Sequence, residues 1–192
     1  MNIKRISFCI VCSLFASIVF SQELGTYQKV ELGINGIGIS LEIPATQKLT
    51  IEPAIGFGPS YDLNNHGDAL TDKMDWHWAL LEPSLHVSVH GKLFYGRDKR
   101  AEKGKSMILN SGQFIGLKIK YVSKSLSDPQ YYCNTLLTNI NWGVQQSLGK
   151  HFLFSCSVGV GYGRNLDYSY GLFYPALDAK IAYVLPFFSK GK

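Results

Sequence analysis

Apolar and polar side chains alternate one by one along most of this chain. The clearest example lies between residues 76 and 95, where the apolar residues Leu85, Val87 and Val89 are each followed by a polar one, in the order His86, Ser88 and His90. Successive side chains of a β-strand point to opposite faces, so this period of two predicts a strand with one apolar and one polar face. The polar face of this strand carries Glu82, Ser84, His86, Ser88, His90 and Lys92.

The same alternation recurs along the chain and predicts eight strands with no second domain. Asn35-Gly36 lies between the first two strands, and we expect a two-residue hairpin there because both residues tolerate a positive φ. The predicted strands cover residues 29–34, 37–43, 48–61, 76–95, 115–121, 131–147, 152–163 and 173–187. The longer predicted connections cover residues 44–47, 62–75, 96–111, 124–130, 148–150 and 164–171.

Alternation permits two opposite barrels, one with its apolar residues inside and one with them outside. Small residues such as Gly56, Ser88 and Gly159 are frequent on the polar face, and they suit the narrow interior of an eight-stranded barrel. Five acidic residues on that face match five lysines, as an enclosed interior requires. We therefore predict a charge network in the lumen, with two histidines as hydrogen-bond partners: Lys29, Glu31, Glu42, Glu52, Glu82, His86, His90, Lys92, Lys118, Lys120, Asp178 and Lys180.

Aromatic residues on the apolar face lie toward the ends of the predicted strands, which is the arrangement of two interfacial girdles in a membrane barrel. In lipid every backbone group must pair internally, so the strands must close on themselves. The sequence thus predicts an all-β fold, a closed eight-stranded antiparallel up-and-down transmembrane β-barrel. The expected girdles contain Tyr61, Tyr162 and Phe173 at one end and Tyr95, Trp142, Phe152 and Phe187 at the other.

The N-terminus has the pattern of a secretory signal peptide. A basic start at residues 1–5 is followed by a mostly apolar run at residues 6–20 and by Ser21, which suits a cleavage site. We expect residues 1–21 to be cleaved and residues 22–192 to form the barrel in the cell outer membrane. An even number of strands then places both ends in the periplasm and the connections at 35–36, 62–75, 124–130 and 164–171 outside.

Charge and cysteine content exclude several other classes of function. Loss of Lys4 and Arg5 lowers the formal charge from +5 to +3 (5 − 2 = 3), which is too small to indicate nucleic-acid binding. Cys133 and Cys156 lie too far apart in the predicted barrel to form a disulfide. No Cys/His spacing indicates a metal site, and no cofactor is expected.

The signal peptide, the eight alternating strands and an aromatic-terminated last strand resemble the small outer-membrane β-barrel family of Gram-negative bacteria, of the outer membrane protein A type. The last strand, residues 180–187, is similar to the assembly signal of that family, although Ala182 stands where glycine is usual. The resemblance implies a monomer surrounded by outer-membrane lipid and inserted by the barrel-assembly machinery. It does not name an activity.

Three functions remain open for such a barrel. We expect a non-enzymatic protein with a plugged lumen that supports the envelope or makes contacts through its loops. A conduit for small or hydrophobic solutes would need a continuous cavity. A lipid-modifying enzyme would need a histidine and a nucleophile at the lipid face, whereas His86, His90, Ser84 and Ser88 are predicted to point inward.

Two connections carry charge that has no assigned role. The connection at residues 96–111 contains a basic cluster, which is either a solvated turn or a contact for acidic headgroups or cell-wall polymer. The connection at residues 62–75 is acidic and has either ordinary loop chemistry or a cation- or partner-binding role. The basic cluster consists of Arg97, Lys99, Arg100, Lys103 and Lys105.

Overall fold

The computed structural model describes residues 24–64, 75–105, 108–127, 133–167 and 171–185. The expected signal peptide at residues 1–21, the centre of the acidic connection at residues 62–75 and the expected girdle residue Phe187 lie outside these ranges.

Eight antiparallel strands form one closed barrel in which every strand pairs with its neighbours in sequence and the first pairs with the last. This confirms the predicted all-β, eight-stranded, up-and-down architecture. The strands are β1 (Tyr27–Gly33), β2 (Gly36–Pro44), β3 (Leu49–Asn64), β4 (Asp75–Tyr95), β5 (Gly112–Ser125), β6 (Thr135–Leu148), β7 (Phe152–Asn165) and β8 (Gly171–Val184).

The barrel has two distinct ends, which we call the base and the top. The base carries both described chain ends and the connections from β2 to β3, from β4 to β5 and from β6 to β7; the top carries the other four connections. Along β4, Val87, Val89 and Leu93 are about half exposed on the outer wall, whereas His90 and Lys92 are buried inside. The period of two therefore assigns the two faces of the wall as the sequence predicts.

Tyr61 was expected in an outer girdle, and this expectation is wrong. The register between β3 and β4 shifts between Pro59 and Ser60, so the alternation changes phase at that point. Tyr61 consequently points into the barrel, where it is 4% exposed and donates a hydrogen bond of 3.1 Å to Asn35 Oδ1.

The hairpin between β1 and β2 also differs from its prediction by one residue. Gly33 pairs with Gly36, so Ile34 and Asn35 make the turn rather than Asn35 and Gly36. Gly36 has a φ of +102°, the one positive φ of this hairpin. A side chain there would also collide with the backbone oxygen of Phe57 on β3, so the position requires glycine for two reasons.

The connection from β4 to β5 folds back against the base of the barrel. It contains a short helix, α1 (Arg97–Glu102), and a 3-10 turn at Ile108–Asn110, in which Leu109 and Asn110 have φ values of 55° and 54°. Leu109 and Asn110 are both buried. None of the helices within the described ranges is long and apolar enough to cross a membrane.

The interior is layered from base to top. Along β5 the inward side chains follow the order Phe114, Gly116, Lys118, Lys120 and Val122, so charged residues lie between two apolar layers. The apolar layer at the base contains Leu24, Phe94, Phe114, Leu109, Leu153, Ala182 and Val184. The apolar layer at the top contains Tyr61, Val122, Leu137, Leu172, Tyr174 and Ala176.

Candidate functional site

Glu52 is the centre of the charged interior. Its carboxylate contacts the Nζ of Lys29, lies 2.7 Å from that of Lys92 and 2.8 Å from that of Lys180. Glu52 is 2% exposed, so three ammonium groups converge on one carboxylate that has almost no contact with solvent.

Two further carboxylates complete this group. Lys29 Nζ lies 2.8 Å from Glu42, and Lys180 Nζ lies 2.8 Å from Glu31. Glu42 also accepts hydrogen bonds from Asn110 Nδ2 at 3.1 Å and from Gln145 Nε2 at 3.2 Å. We call these residues the lower network: Lys29, Glu31, Glu42, Glu52, Lys92 and Lys180.

The lower network has no net charge, because its three carboxylates balance its three ammonium groups. Buried ions lose the solvation of bulk water, and only close mutual contacts and hydrogen bonds compensate for this loss. The lower network meets that condition, and its side chains come from β1, β2, β3, β4 and β8, so it connects much of the wall across the lumen.

A second ion pair lies above the lower network. Lys118 Nζ is 2.8 Å from Asp178, and Asn35 Nδ2 donates a hydrogen bond of 2.9 Å to the same carboxylate. Asn35 belongs to the hairpin turn between β1 and β2, so this contact holds the turn over the lumen.

Lys120 is the exception among the interior lysines. It is 3% exposed, and its Nζ lies 3.4 Å from the hydroxyl of Tyr61 and 5.2 Å from the centre of that ring. Within the described ranges it makes no ion pair with a carboxylate. Its charge is therefore enclosed beside a neutral aromatic ring.

Glu82 does not compensate Lys120, although the sequence groups them on one face. Glu82 accepts a hydrogen bond of 2.9 Å from Ser125, which lies five residues beyond Lys120 on β5. Five residues of strand span roughly 17 Å. The sequence has equal numbers of acidic residues and lysines on this face, five of each. Among the described residues, only eight of these ten groups form ion pairs with one another.

The histidines of β4 are inward but are not arranged for nucleophilic catalysis. His90 Nε2 shares a hydrogen bond of 3.2 Å with Asn141 Oδ1, directly above Gly116, where a Cβ would collide with both atoms. The Nδ1 atoms of His86 and His90 are buried without a partner among the described residues, and neither ring bonds to a serine. Among the residues that the structure describes, no group of three His, Cys, Asp or Glu side chains is placed to hold a metal ion.

Several interior contributors were absent from the sequence-based network. Phe94 and Phe114 fill the base, with ring centres 5.7 Å apart. Both stand at positions that alternate with the outward residues of their strands, and this is the sequence signal that could have identified them. Gln145 also has inward parity, and its Oε1 accepts a hydrogen bond of 3.0 Å from Lys92. Asn110 comes from a long connection, where no periodicity points to its position.

The basic cluster in the connection from β4 to β5 does not form one surface. Arg97 is 1% exposed, and its guanidinium lies 5.8 Å from the centre of the Phe94 ring. Arg100 donates a hydrogen bond of 2.7 Å to Gln146 on β6. Lys99, Lys103 and Lys105 remain exposed. A patch that uses all five side chains for an anionic partner is therefore not present.

The outer wall is apolar and has aromatic contacts near both ends. Tyr162 and Phe173 lie toward the top with ring centres 5.1 Å apart, and Phe152 and Tyr183 lie toward the base at 5.3 Å. Cys156 is exposed on this wall and Cys133 is buried, and both are free thiols. A groove of about 460 Å³ also lies on the wall beside Pro53.

A polar contact at the top joins two connections. Asp167 accepts a hydrogen bond of 2.9 Å from the backbone N–H of Asn134, and Lys124 Nζ lies 3.5 Å away from the same carboxylate. The Asn134 N–H lowers the pKa of Asp167 below its usual range. These contacts link the connection from β5 to β6 with the connection from β7 to β8.

No protein-family model, curated protein or solved structure matches this chain. A proposal for the function of this chain therefore depends on its sequence and on the geometry of the barrel.

Proposed function

We propose that this chain is a non-enzymatic, monomeric outer-membrane β-barrel that supports the cell envelope or makes contacts through its top connections. In this proposal residues 1–21 direct export, the barrel-assembly machinery inserts the chain, and lipid surrounds the wall. The observation that carries the proposal is the inverted distribution of side chains. Charged groups lie inside, and large apolar side chains lie outside.

The outer wall is too apolar for a stable surface in water. Exposed fractions reach 65% at Ile140, 60% at Val160 and 73% at Phe173, and these residues belong to a continuous set around the barrel. The largest apolar patch of a typical soluble monomer covers roughly 300–600 Å². A belt that surrounds the whole barrel exceeds that area and matches the band that contacts hydrocarbon in membrane barrels.

Folding in detergent provides the direct test of the membrane assignment. We expect the folded chain to migrate differently in gel electrophoresis with and without boiling, because a closed barrel resists unfolding by dodecyl sulfate at low temperature. We also expect it to precipitate when detergent is removed. A barrel that stays monodisperse in buffer without detergent would contradict the proposal.

The filled interior supports a non-conducting barrel rather than a solute conduit. The lower network crosses the lumen between apolar layers, and the two cavities beside the upper ion pair have volumes of only about 30 Å³ each. In planar bilayers we expect few or no resolved channel openings. Steady openings in every insertion event would favour the conduit function instead.

The serines and histidines of β4 give no support to a lipid-modifying enzyme. Ser84 donates hydrogen bonds to the backbone oxygens of Gly58 and Pro59 at 3.2 and 3.1 Å, and it is fully buried. A nucleophile that acts on acyl chains must reach the lipid face or the headgroup region, and this hydroxyl does not.

A further inference from the structure

We propose that the space beside Lys118 and Lys120 binds a single small inorganic anion of the size of chloride. The proposal concerns the interior of the barrel and does not depend on the location of the protein or on its loops. It rests on an enclosed ammonium group that has no ion-pair partner among the described residues and on two cavities that this group lines.

The charge around Lys120 is unbalanced. Lys118 uses the Asp178 carboxylate at 2.8 Å, and the carboxylates of the lower network are occupied by their own lysines. Lys120 is 3% exposed, and in its protonated form the ammonium group has no ion-pair partner among the described residues. Because an unpaired buried ion is strongly unfavourable, a counter-ion at this position would stabilise the folded barrel.

The structure provides space for such an ion. Two cavities of about 30 Å³ each flank the lysines, and both are lined by Asn35, Lys118, Lys120 and Asp178. A ligand of the size of a water molecule needs a cavity volume of roughly 10–15 Å³, so each cavity accommodates one or two such ligands. A halide fits, whereas a tetrahedral oxyanion of five heavy atoms does not.

Hydrogen-bond donors face these cavities. An ammonium group has three N–H donors, and Lys120 directs one of them to Tyr61 at 3.4 Å. Ser157 lines the first cavity, and its Oγ accepts from Asn141 at 3.4 Å, which leaves the hydroxyl proton available to an acceptor. His86 lines the second cavity, and its buried Nδ1, which has no partner among the described residues, donates in the tautomer that carries the proton there.

The two cavities differ in the residues that line them. Tyr61, Leu137 and Tyr174 belong to the apolar layer at the top of the barrel, and they also line the first cavity. The charged residues of the first cavity are Lys118, Lys120 and Asp178, which leave one excess positive charge, whereas the second cavity also has Glu31, Glu52 and Lys180 in its lining and is balanced. The first cavity therefore favours a monovalent anion over a cation.

Bromide is a suitable probe because it replaces chloride and scatters X-rays anomalously. In crystals of the folded chain grown in sodium bromide, we expect an anomalous peak in contact with Lys120 Nζ. Crystals that show no bromide at this position would overturn the proposal, whatever ions bind to the outer surface.

Thermal unfolding in detergent provides an independent test. At equal ionic strength we expect sodium chloride to raise the unfolding temperature by about 2–4 °C relative to sodium gluconate, since a ligand that binds only the folded state stabilises it. The Lys120→Met variant should lose this difference. The control variant Lys124→Met, on the same strand at an exposed position, should keep it.

Three thermal results would overturn the proposal. They are equal unfolding temperatures in chloride and gluconate, an unchanged chloride effect in Lys120→Met, and an equal effect of sulfate, which is too large for the cavities. Should Lys120→Met fail to fold, the bromide measurement and the comparison of chloride with sulfate on the unaltered chain still decide the question.

Discussion

Replacement of Glu52 by glutamine is expected to lower the free energy of unfolding of the barrel by about 3–5 kcal/mol, the usual loss when one partner of a buried ion pair is removed. Glu52 contacts Lys29, Lys92 and Lys180 inside the barrel. Without its charge, three buried ammonium groups share two carboxylates. Urea titration of the detergent-folded chain measures the change through the unfolding midpoint.

A second substitution distinguishes this charge effect from a general loss of packing. In Glu52→Gln combined with Lys92→Met, the remaining pairs, Lys29 with Glu42 and Lys180 with Glu31, are each intact at 2.8 Å. The double variant should therefore be more stable than Glu52→Gln alone, because the interior is neutral again.

A matched control uses Glu102, which is exposed on α1. Glu102→Gln removes the same charge from water rather than from the lumen, and we expect a change within about 0.5 kcal/mol. Equal effects at Glu52 and Glu102, or a double variant less stable than Glu52→Gln, would contradict the assignment of the lower network as a stabilising charge cluster.

The strands and their two faces were predictable because a period of two is a direct consequence of strand geometry. In β7, Val158 and Val160 face outward, and Ser155 and Ser157 face inward, as alternation requires. Among the described residues, the alternation changes phase beside a shift in the register of the strand ladder. The register shift between β3 and β4 beside Pro59 inverts the inward and outward order of the side chains that follow. No local feature of the sequence predicts this shift.

The alternation assigned charged side chains to the interior, but it predicted neither their pairing nor their neutral partners. The alternation along their strands assigns Lys120 and Glu82 to the interior. Their heights along the barrel axis, however, depend on strand tilt and register, which cannot be obtained by counting charges. Asn110 illustrates a second limit. Its contact with Glu42 at 3.1 Å depends on a long connection that folds back into the base, where alternation provides no information.

The outer wall provides the second large effect. Ile140 lies near the middle of β6, pairs with Leu117 and Val160, and is 65% exposed. An arginine at the midplane of a bilayer lowers the stability of a membrane barrel by about 2–4 kcal/mol, whereas near the interface the loss is about 0–1 kcal/mol. We therefore expect Ile140→Arg to destabilise the barrel by about 2–4 kcal/mol in urea titrations with lipid vesicles.

Leu166 offers the matched position for this substitution, because it is 44% exposed but lies beyond the end of β7 at the top. Leu166→Arg should lose no more than about 1 kcal/mol. A barrel surrounded by water gives a different result, since arginine at an exposed position changes stability by only about 0.5 kcal/mol at both sites. The difference between Ile140→Arg and Leu166→Arg thus measures the depth of the wall in hydrocarbon, and equal small effects would contradict the membrane assignment even if the fold is unchanged.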